Sequence, residues 1–334
     1  MFYTSPLTLY KIAILLFLSS FILCYLLTST AIRIAFKINL LDEPTSKRKI
    51  HSLPTPLLGG VAVFLSFLLI LCFFFLIIQY FILTMGPHYF IFGSNKIFWI
   101  KIGLYLICSI LIVFIGLLDD VKNINFKSKL FVQSLAALIM MLSGMTCQIS
   151  PWPIFNFFVT FIWILCLTNA FNLLDNMNGL STGLAIIVII FFVISSYINQ
   201  NYLFSLLFII LLGCLIGFFP HNFPKANIFL GDAGSLFIGF SLAVFSVWIF
   251  NQLLEQRSSF WIPLWTLLLI LSIPICDTLT VVAIRIKNKK PFYIGDTNHL
   301  SHQLVKLGLS STNAVLMLYG SALILGVIGL LYTF

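Results

Sequence analysis

Stretches of about 20 apolar residues recur along the whole 334-residue chain, and no other feature limits its fold so tightly. A helix of that length crosses the hydrocarbon layer of a bilayer with every backbone N–H and C=O bonded internally. The spacing predicts ten spans, at about 8–31, 57–83, 99–118, 128–145, 154–170, 181–198, 203–219, 236–253, 262–281 and 312–331. No series of short alternating strands suggests a barrel. Only 8% of the residues are charged, against about 25% in a typical soluble domain, so no soluble domain is expected. The reading is an all-α polytopic membrane protein, a single integral domain over residues 1–334. The first apolar run lacks a small-residue cleavage site and is followed by Arg33 and Lys37, as an ordinary first span is. Seven cysteines scattered through the spans without paired spacing read as packing residues, and indicate neither a disulfide framework nor a zinc site.

Strict alternation puts the loops at 32–56, 119–127, 171–180, 220–235 and 282–311 on one face. These loops and their borders hold fourteen of the eighteen Lys and Arg residues; Lys11, Lys96, Lys101 and Arg257 fall on the other side. The positive-inside rule makes the first face cytoplasmic and places both termini outside. The net charge of +9 is then topology plus attraction to anionic lipid or phosphate, and nucleic acid is not an expected partner. Eight of the nine acidic residues and four of the five histidines segregate to the same face, which the rule does not require. The protein has a working side.

Five polar loops carry the chemistry of that side. The first holds Lys47, Arg48, Lys49 and His51, a phosphate-facing surface, followed by Thr55 and by Gly59-Gly60 at a helix start that can approach an anion. The second holds adjacent carboxylates, Asp119 and Asp120, where an apolar run gives out, with Lys122, Lys127 and Lys129 beyond. Like charges that close need a proton or a cation between them, and a divalent metal is the plainest candidate. The third crowds Asn172, Asp175, Asn176 and Asn178 between two spans; turn formation explains Asn178-Gly179 but not Asn169, Asn172 or Asp175. The fourth sets Asp232 between glycines at the mouth of a span, as an N-cap or a ligand. The fifth contains Asp296-Thr297-Asn298-His299-Leu300-Ser301-His302, whose histidines share a face if the segment is helical. Without a third ligand nearby they suit phosphate or sugar hydroxyls at least as well as metal.

Taken together, Asp42–Gly60, Gly116–Gln133, Asn169–Gly183, Asn227–Gly239 and Asp277–Gly308 resemble, in order, the conserved elements of the polyprenyl-phosphate N-acetylhexosamine-1-phosphate transferases. This is the WecA/MraY-like superfamily, glycosyltransferase family 4. The His299-x-x-His302 element is similar to the GlcNAc-1-phosphate branch and lacks the histidine triplet of the phospho-MurNAc-pentapeptide translocases. The resemblance implies attack of undecaprenyl phosphate on the β-phosphorus of a UDP-N-acetylhexosamine, most readily UDP-GlcNAc, with UMP leaving. It implies Asp119, Asp120 and Asp232 as metal ligands, Asp232 foremost, for Mg2+ with Mn2+ as an alternative. Asp119, Asp120, Asp175, His299 and His302 become catalytic candidates, and Lys49, His51, Thr55, Lys129, Asn172, Asn178 and Arg285 substrate-binding ones. One departure stands out: Asn178 occupies a position that is acidic in the family and associated with the nucleotide base, and an amide still offers a donor and an acceptor. The implied site is cytoplasmic, in the inner membrane, and a homodimer is allowed for. The competing reading is a transporter or flippase of an anionic lipid or nucleotide sugar, which would want a polar route through the midplane.

Overall fold

The structure, a computed structural model, describes residues 6–43, 53–85, 96–257, 259–289, 291 and 297–333. Among these described residues twelve helices follow one another: α1 (Pro6–Lys37), α2 (Gly59–Met85), α3 (Lys96–Lys122), α4 (Phe126–Leu142), α5 (Pro153–Leu174) and α6 (Leu180–Ile198), then α7 (Tyr202–Asn222), α8 (Gly231–Gln256), α9 (Trp261–Ile270), α10 (Ser272–Lys287), α11 (Leu300–Lys306) and α12 (Ser311–Leu331). Two short antiparallel strands, β1 (Leu41–Asp42) and β2 (Thr55–Pro56), pair Leu41 with Pro56 and Asp42 with Thr55 between α1 and α2. The all-α membrane class is as expected from the sequence. All seven cysteines are free, and four of them are buried.

Among the described residues eight helices are long and apolar enough to cross a membrane, nine if the bent pair α9 and α10 is one span. The fourth expected span, 128–145, corresponds to α4, which has 17 residues and is not among those eight. At 1.5 Å per residue it is about 25 Å long, just short of a hydrocarbon core. It nonetheless carries the chain across the bundle. Lys129 in its first turn touches Asp119 at the end of α3, whereas beyond its C-terminus Gln148 N–H donates to Asn251 near the far end of α8. The ninth span, expected as one rod over 262–281, is broken by 75°. Pro274 has no N–H to give to the carbonyl of Ile270, four residues back, and α9 ends at that residue. The bend lays α10 across α5 and α12.

At the centre lies α8, buried on every side, as its uninterrupted apolar composition requires. It packs on α2, α3, α5, α6 and α9. Polar side chains lock it sideways: Tyr105 Oη lies 2.6 Å from Ser241 Oγ, and Trp163 Nε1 donates to Ser246 Oγ at 2.8 Å. In a bilayer such bonds and close backbone approach replace the hydrophobic force between helices. The closest approach joins α2 to the start of α8. A Cβ on Gly60 would stand 2.0 Å from Gly234 N and 2.2 Å from Gly234 Cα.

This contact disposes of one expectation. The N-terminus of α2 does not wait for an anion, because Gly59 N–H donates to Phe229 O at 3.2 Å and Gly60 N–H to Leu230 O at 2.8 Å. The first turns of α1 and the end of α12 lie at the end of the bundle opposite the start of α8. Tyr10 is bonded to Tyr197 at the end of α6, and Arg257 donates to the carbonyl of Thr333.

Gly60→Ala is expected to lower stability in detergent by about 1–3 kcal/mol through overpacking. Gly103→Ala, where a Cβ would have nothing within 4 Å, is expected to leave it unchanged. Thermal unfolding of the two variants side by side checks the contact.

Candidate active site

The ends of α3, α5 and α7, the starts of α8 and α12, short α11 and the segment from Asn39 to Asp42 surround a cavity of about 850 Å³. Asp119, Asp120, Asp175 and Asp232 all line it, although they are up to 113 residues apart in the chain. The sequence expectation that these carboxylates meet is met. Among the described residues lining the cavity there is no Lys or Arg, so its wall is acidic.

Each carboxylate has its own restraint. Asp120 accepts from the backbone N–H of Asp232 at 2.8 Å and of Ala233 at 3.1 Å, one oxygen to each. It thereby caps α8, whose own N-cap residue Leu230 offers no side-chain bond. Gly231 makes room: its φ is +71°, and a Cβ there would meet Asp120 Oδ2 at 2.7 Å. Asp119 and Asp232 share one cation, with Lys129 Nζ 2.7 Å from Asp119 Oδ2 and 2.9 Å from Asp232 Oδ2. The other oxygen of Asp232 accepts from Asn172 Nδ2 at 3.0 Å, and the same amide reaches Ser235 Oγ at 2.9 Å. Asp232 is therefore aimed by two helices besides its own. Asp175 closes α5 with its N–H on Asn172 O at 3.3 Å. Burial, and then the negative charge of Asp232, push its carboxyl up to about 8.

A second cluster faces the same space. His299 precedes α11 in extended conformation, so the two histidines are not on one helix, yet both line the cavity with ring centroids 6.2 Å apart. His299 Nδ1 lies 2.7 Å from Asp277 Oδ2, and Leu300 N–H donates to Asp277 Oδ1 at 2.7 Å. Asp277 and His299 are 1% and 3% exposed. A carboxylate there accepts a hydrogen bond from Nδ1–H and leaves Nε2 as the ring's remaining polar atom.

Comparison with known proteins agrees with this geometry. The family model described as glycosyl transferase family 4 matches residues 102–250. The chain is 29% identical over 312 residues to a probable undecaprenyl-phosphate N-acetylglucosaminyl 1-phosphate transferase of Bacillus subtilis, covering 91% of this chain and 80% of that protein. It is also 29% identical over 313 residues to the undecaprenyl-phosphate alpha-N-acetylglucosaminyl 1-phosphate transferase of Yersinia pestis, with 90% and 78% covered. The protein of that name in Salmonella typhi is 27% identical over 330 residues, with 93% and 83% covered. Over most of its length the chain is thus similar to proteins of the glycosyl transferase family 4 type.

The remaining sequence candidates are distributed unevenly. Asn178 lines the cavity, and its Nδ2 donates to Pro224 O at 3.2 Å. Thr55 is buried in β2 and donates to Leu53 O at 3.1 Å, away from the described cavity wall. Arg285 is 1% exposed near the end of α10 and is likewise not among the described lining residues. Lys49 and His51, with Asp296, lie outside the described residues. Gln133 cross-links helices by accepting from Asn169 Nδ2 at 2.6 Å.

Several contributors were not candidates. Asp277 was noted only as an acid near the end of a span, although an intramembrane carboxylate is itself a signal. Asn222 joins two loops through bonds from Gly179 N–H at 3.0 Å and to Ile228 O at 2.9 Å. Ser301 donates to Asn176 Oδ1 at 2.8 Å, tying α11 to the loop after α5. An isolated Asn or Ser gives no such signal before folding.

Two outcomes follow from these environments. Asp175 is neutral in the folded protein and ionised in the unfolded chain between its ordinary value of 3.8 and about 8. Stability therefore falls as pH rises through that window and levels off above it. Relative to Asp175→Asn, metal-free wild type should lose thermal stability from about pH 5 to pH 8; parallel curves would contradict the shift. Asp277→Asn replaces an acceptor with a group that can donate to Nδ1, moving the ring proton to Nε2. It is expected to lower turnover about 10²-fold with secondary structure retained by circular dichroism.

Proposed function

We propose that this protein transfers N-acetylglucosamine 1-phosphate from UDP-GlcNAc to undecaprenyl phosphate, releasing UMP and leaving a lipid-linked diphosphosugar. The observation that carries the reading is the meeting of Asp119, Asp120, Asp175 and Asp232 in one cavity. The relatives named for this activity support it across most of the chain. A transporter has no comparable support.

Two phosphate anions cannot approach one another in an acidic cavity without added positive charge. The donor set suits Mg2+, which takes hard oxygen ligands and commonly only one or two carboxylates, with substrate phosphates and waters completing it. Asp119 and Asp232 are that pair, already converging on one cationic atom, and Asn172 keeps Asp232 turned toward it. Among the described residues no group of three His, Cys, Asp or Glu forms a closed metal cage, so the site is of the open, substrate-completed kind. Bound there, Mg2+ or Mn2+ would neutralise the pyrophosphate and stabilise the leaving UMP.

The chain's own groups do the remaining work. Asp120 holds the start of α8, and with it Asp232, in place. Both of its oxygens are occupied by N–H donors and Asp119 is paired with Lys129, which weakens each as a nucleophile. Direct attack by the lipid phosphate is therefore preferred to a covalent aspartyl intermediate. Asp175, protonated near neutrality, can donate a hydrogen bond to a phosphate oxygen where an ionised carboxylate would repel it. His299 and His302 contact phosphate or sugar hydroxyls from the opposite wall. Asn178 serves the base: with its Nδ2 on Pro224 O, its carbonyl oxygen is available to accept from a uracil N–H. The excess of Lys and Arg in the loops on this side supports a cytoplasmic cavity at the plasma membrane, with both termini outside.

Purified protein with undecaprenyl phosphate and UDP-GlcNAc should release UMP only when Mg2+ or Mn2+ is present. Asp232→Asn should lose about 10²–10³-fold in turnover while keeping its fold. Transmembrane flux of the sugar nucleotide without UMP release would overturn the assignment, as would full activity in Asp232→Asn.

A further inference from the structure

We infer that Lys129 is an exchangeable counter-ion: its ammonium holds the place between Asp119 and Asp232 that a divalent cation takes, and vacates it when the cation binds. This rests on the divalent-cation reading above and extends it to the state of the protein before the ion arrives.

The geometry sets the two cations in competition. Lys129 Nζ reaches Asp119 Oδ2 at 2.7 Å and Asp232 Oδ2 at 2.9 Å, and the three side chains are only 18%, 14% and 29% exposed. Among the described residues no other Lys or Arg pairs with either carboxylate, so without the ammonium two like charges would face each other in poor solvent. A magnesium ion chelated by the same oxygens sits about 2.0–2.1 Å from them, in contact distance of an ammonium left where it is. No spare acid separates the two positive charges, because Asp120 is already spent on the first turn of α8. One of them must leave.

The lysine is built to be the one that goes. Its charge is single and sits on a flexible four-carbon stem, whereas the carboxylates are fixed, Asp232 by Asn172 and both by their helices. Lys129 is in the first turn of α4, at the cavity end, so its released ammonium remains beside the site. There it meets the anionic substrates that arrive with or after the metal. Cation binding would thus convert a carboxylate clamp on lysine into a metal site with a free ammonium next to it.

The test uses full-length protein in detergent without substrates. Lysine acetylation, quantified by mass spectrometry, compares EDTA with saturating Mg2+. Labelling of Lys129 should rise several-fold with Mg2+ while that of Lys101 stays constant. Equal or lower labelling of Lys129 overturns the exchange. Mn2+ affinity, measured by electron paramagnetic resonance, supplies the second arm. Lys129→Gln, having no competitor, should bind at least about tenfold more tightly than wild type, and Lys129→Arg should not. Unchanged or weaker binding by Lys129→Gln also overturns it. If that variant does not fold, the labelling of wild type decides. Absence of saturable Mn2+ binding by wild type would defeat the divalent-cation reading itself, and this inference with it.

Discussion

The backbone at the start of α8 carries N–H groups that no turn of the helix can satisfy, and it lies where water is scarce. Asp120 answers two of them from α3, with each carboxylate oxygen taking one N–H. Much of the architecture is arranged so that this can happen. Gly60 and Gly234 let α2 and α8 touch backbone to backbone, and Gly231 turns with positive φ directly beside the Asp120 carboxylate. Because Asp232 is the next residue, the bond that completes the helix also sets the position of a carboxylate on the cavity wall. Structure and chemistry meet in the same two oxygens.

From that anchor the electrostatics follow. Four carboxylates around one cavity would drive one another apart if all were ionised and unpartnered. The structure divides the problem three ways. Asp120 faces the positive end of a helix, Asp119 and Asp232 share an ammonium, and Asp175 keeps its proton to about pH 8. On the reading proposed above, a divalent cation would mediate between this acidic cavity and its phosphate substrates.

The sequence disclosed the parts of this arrangement that depend on local composition. Apolar runs marked the spans, and the unequal distribution of acids and histidines marked one working end. It misjudged parts whose role depends on a distant partner. The glycines before α2 suggested an anion site, but their N–H groups are taken by Phe229 and Leu230. Thr55 turned into a strand, and Arg285, cationic and near a loop, is enclosed. Asn172, expected to hold substrate, lines the cavity, and its amide N–H also orients Asp232, which no local pattern shows. Asp277 drew little notice alone because its meaning is His299, 22 residues further on.

Composition and periodicity by themselves determined that this chain is a helical membrane protein with a polar, acidic end, since bilayer thickness and backbone hydrogen bonding admit no other use of such apolar runs. The tertiary structure alone decided which acid does what. A carboxylate's role is set by what lies within about 3 Å of its oxygens, and for Asp119, Asp120, Asp232 and Asp277 those neighbours come from other helices. A linear pattern records that a charge is present near the membrane edge. It does not record whether a lysine, a helix terminus or an imidazole will stand against it.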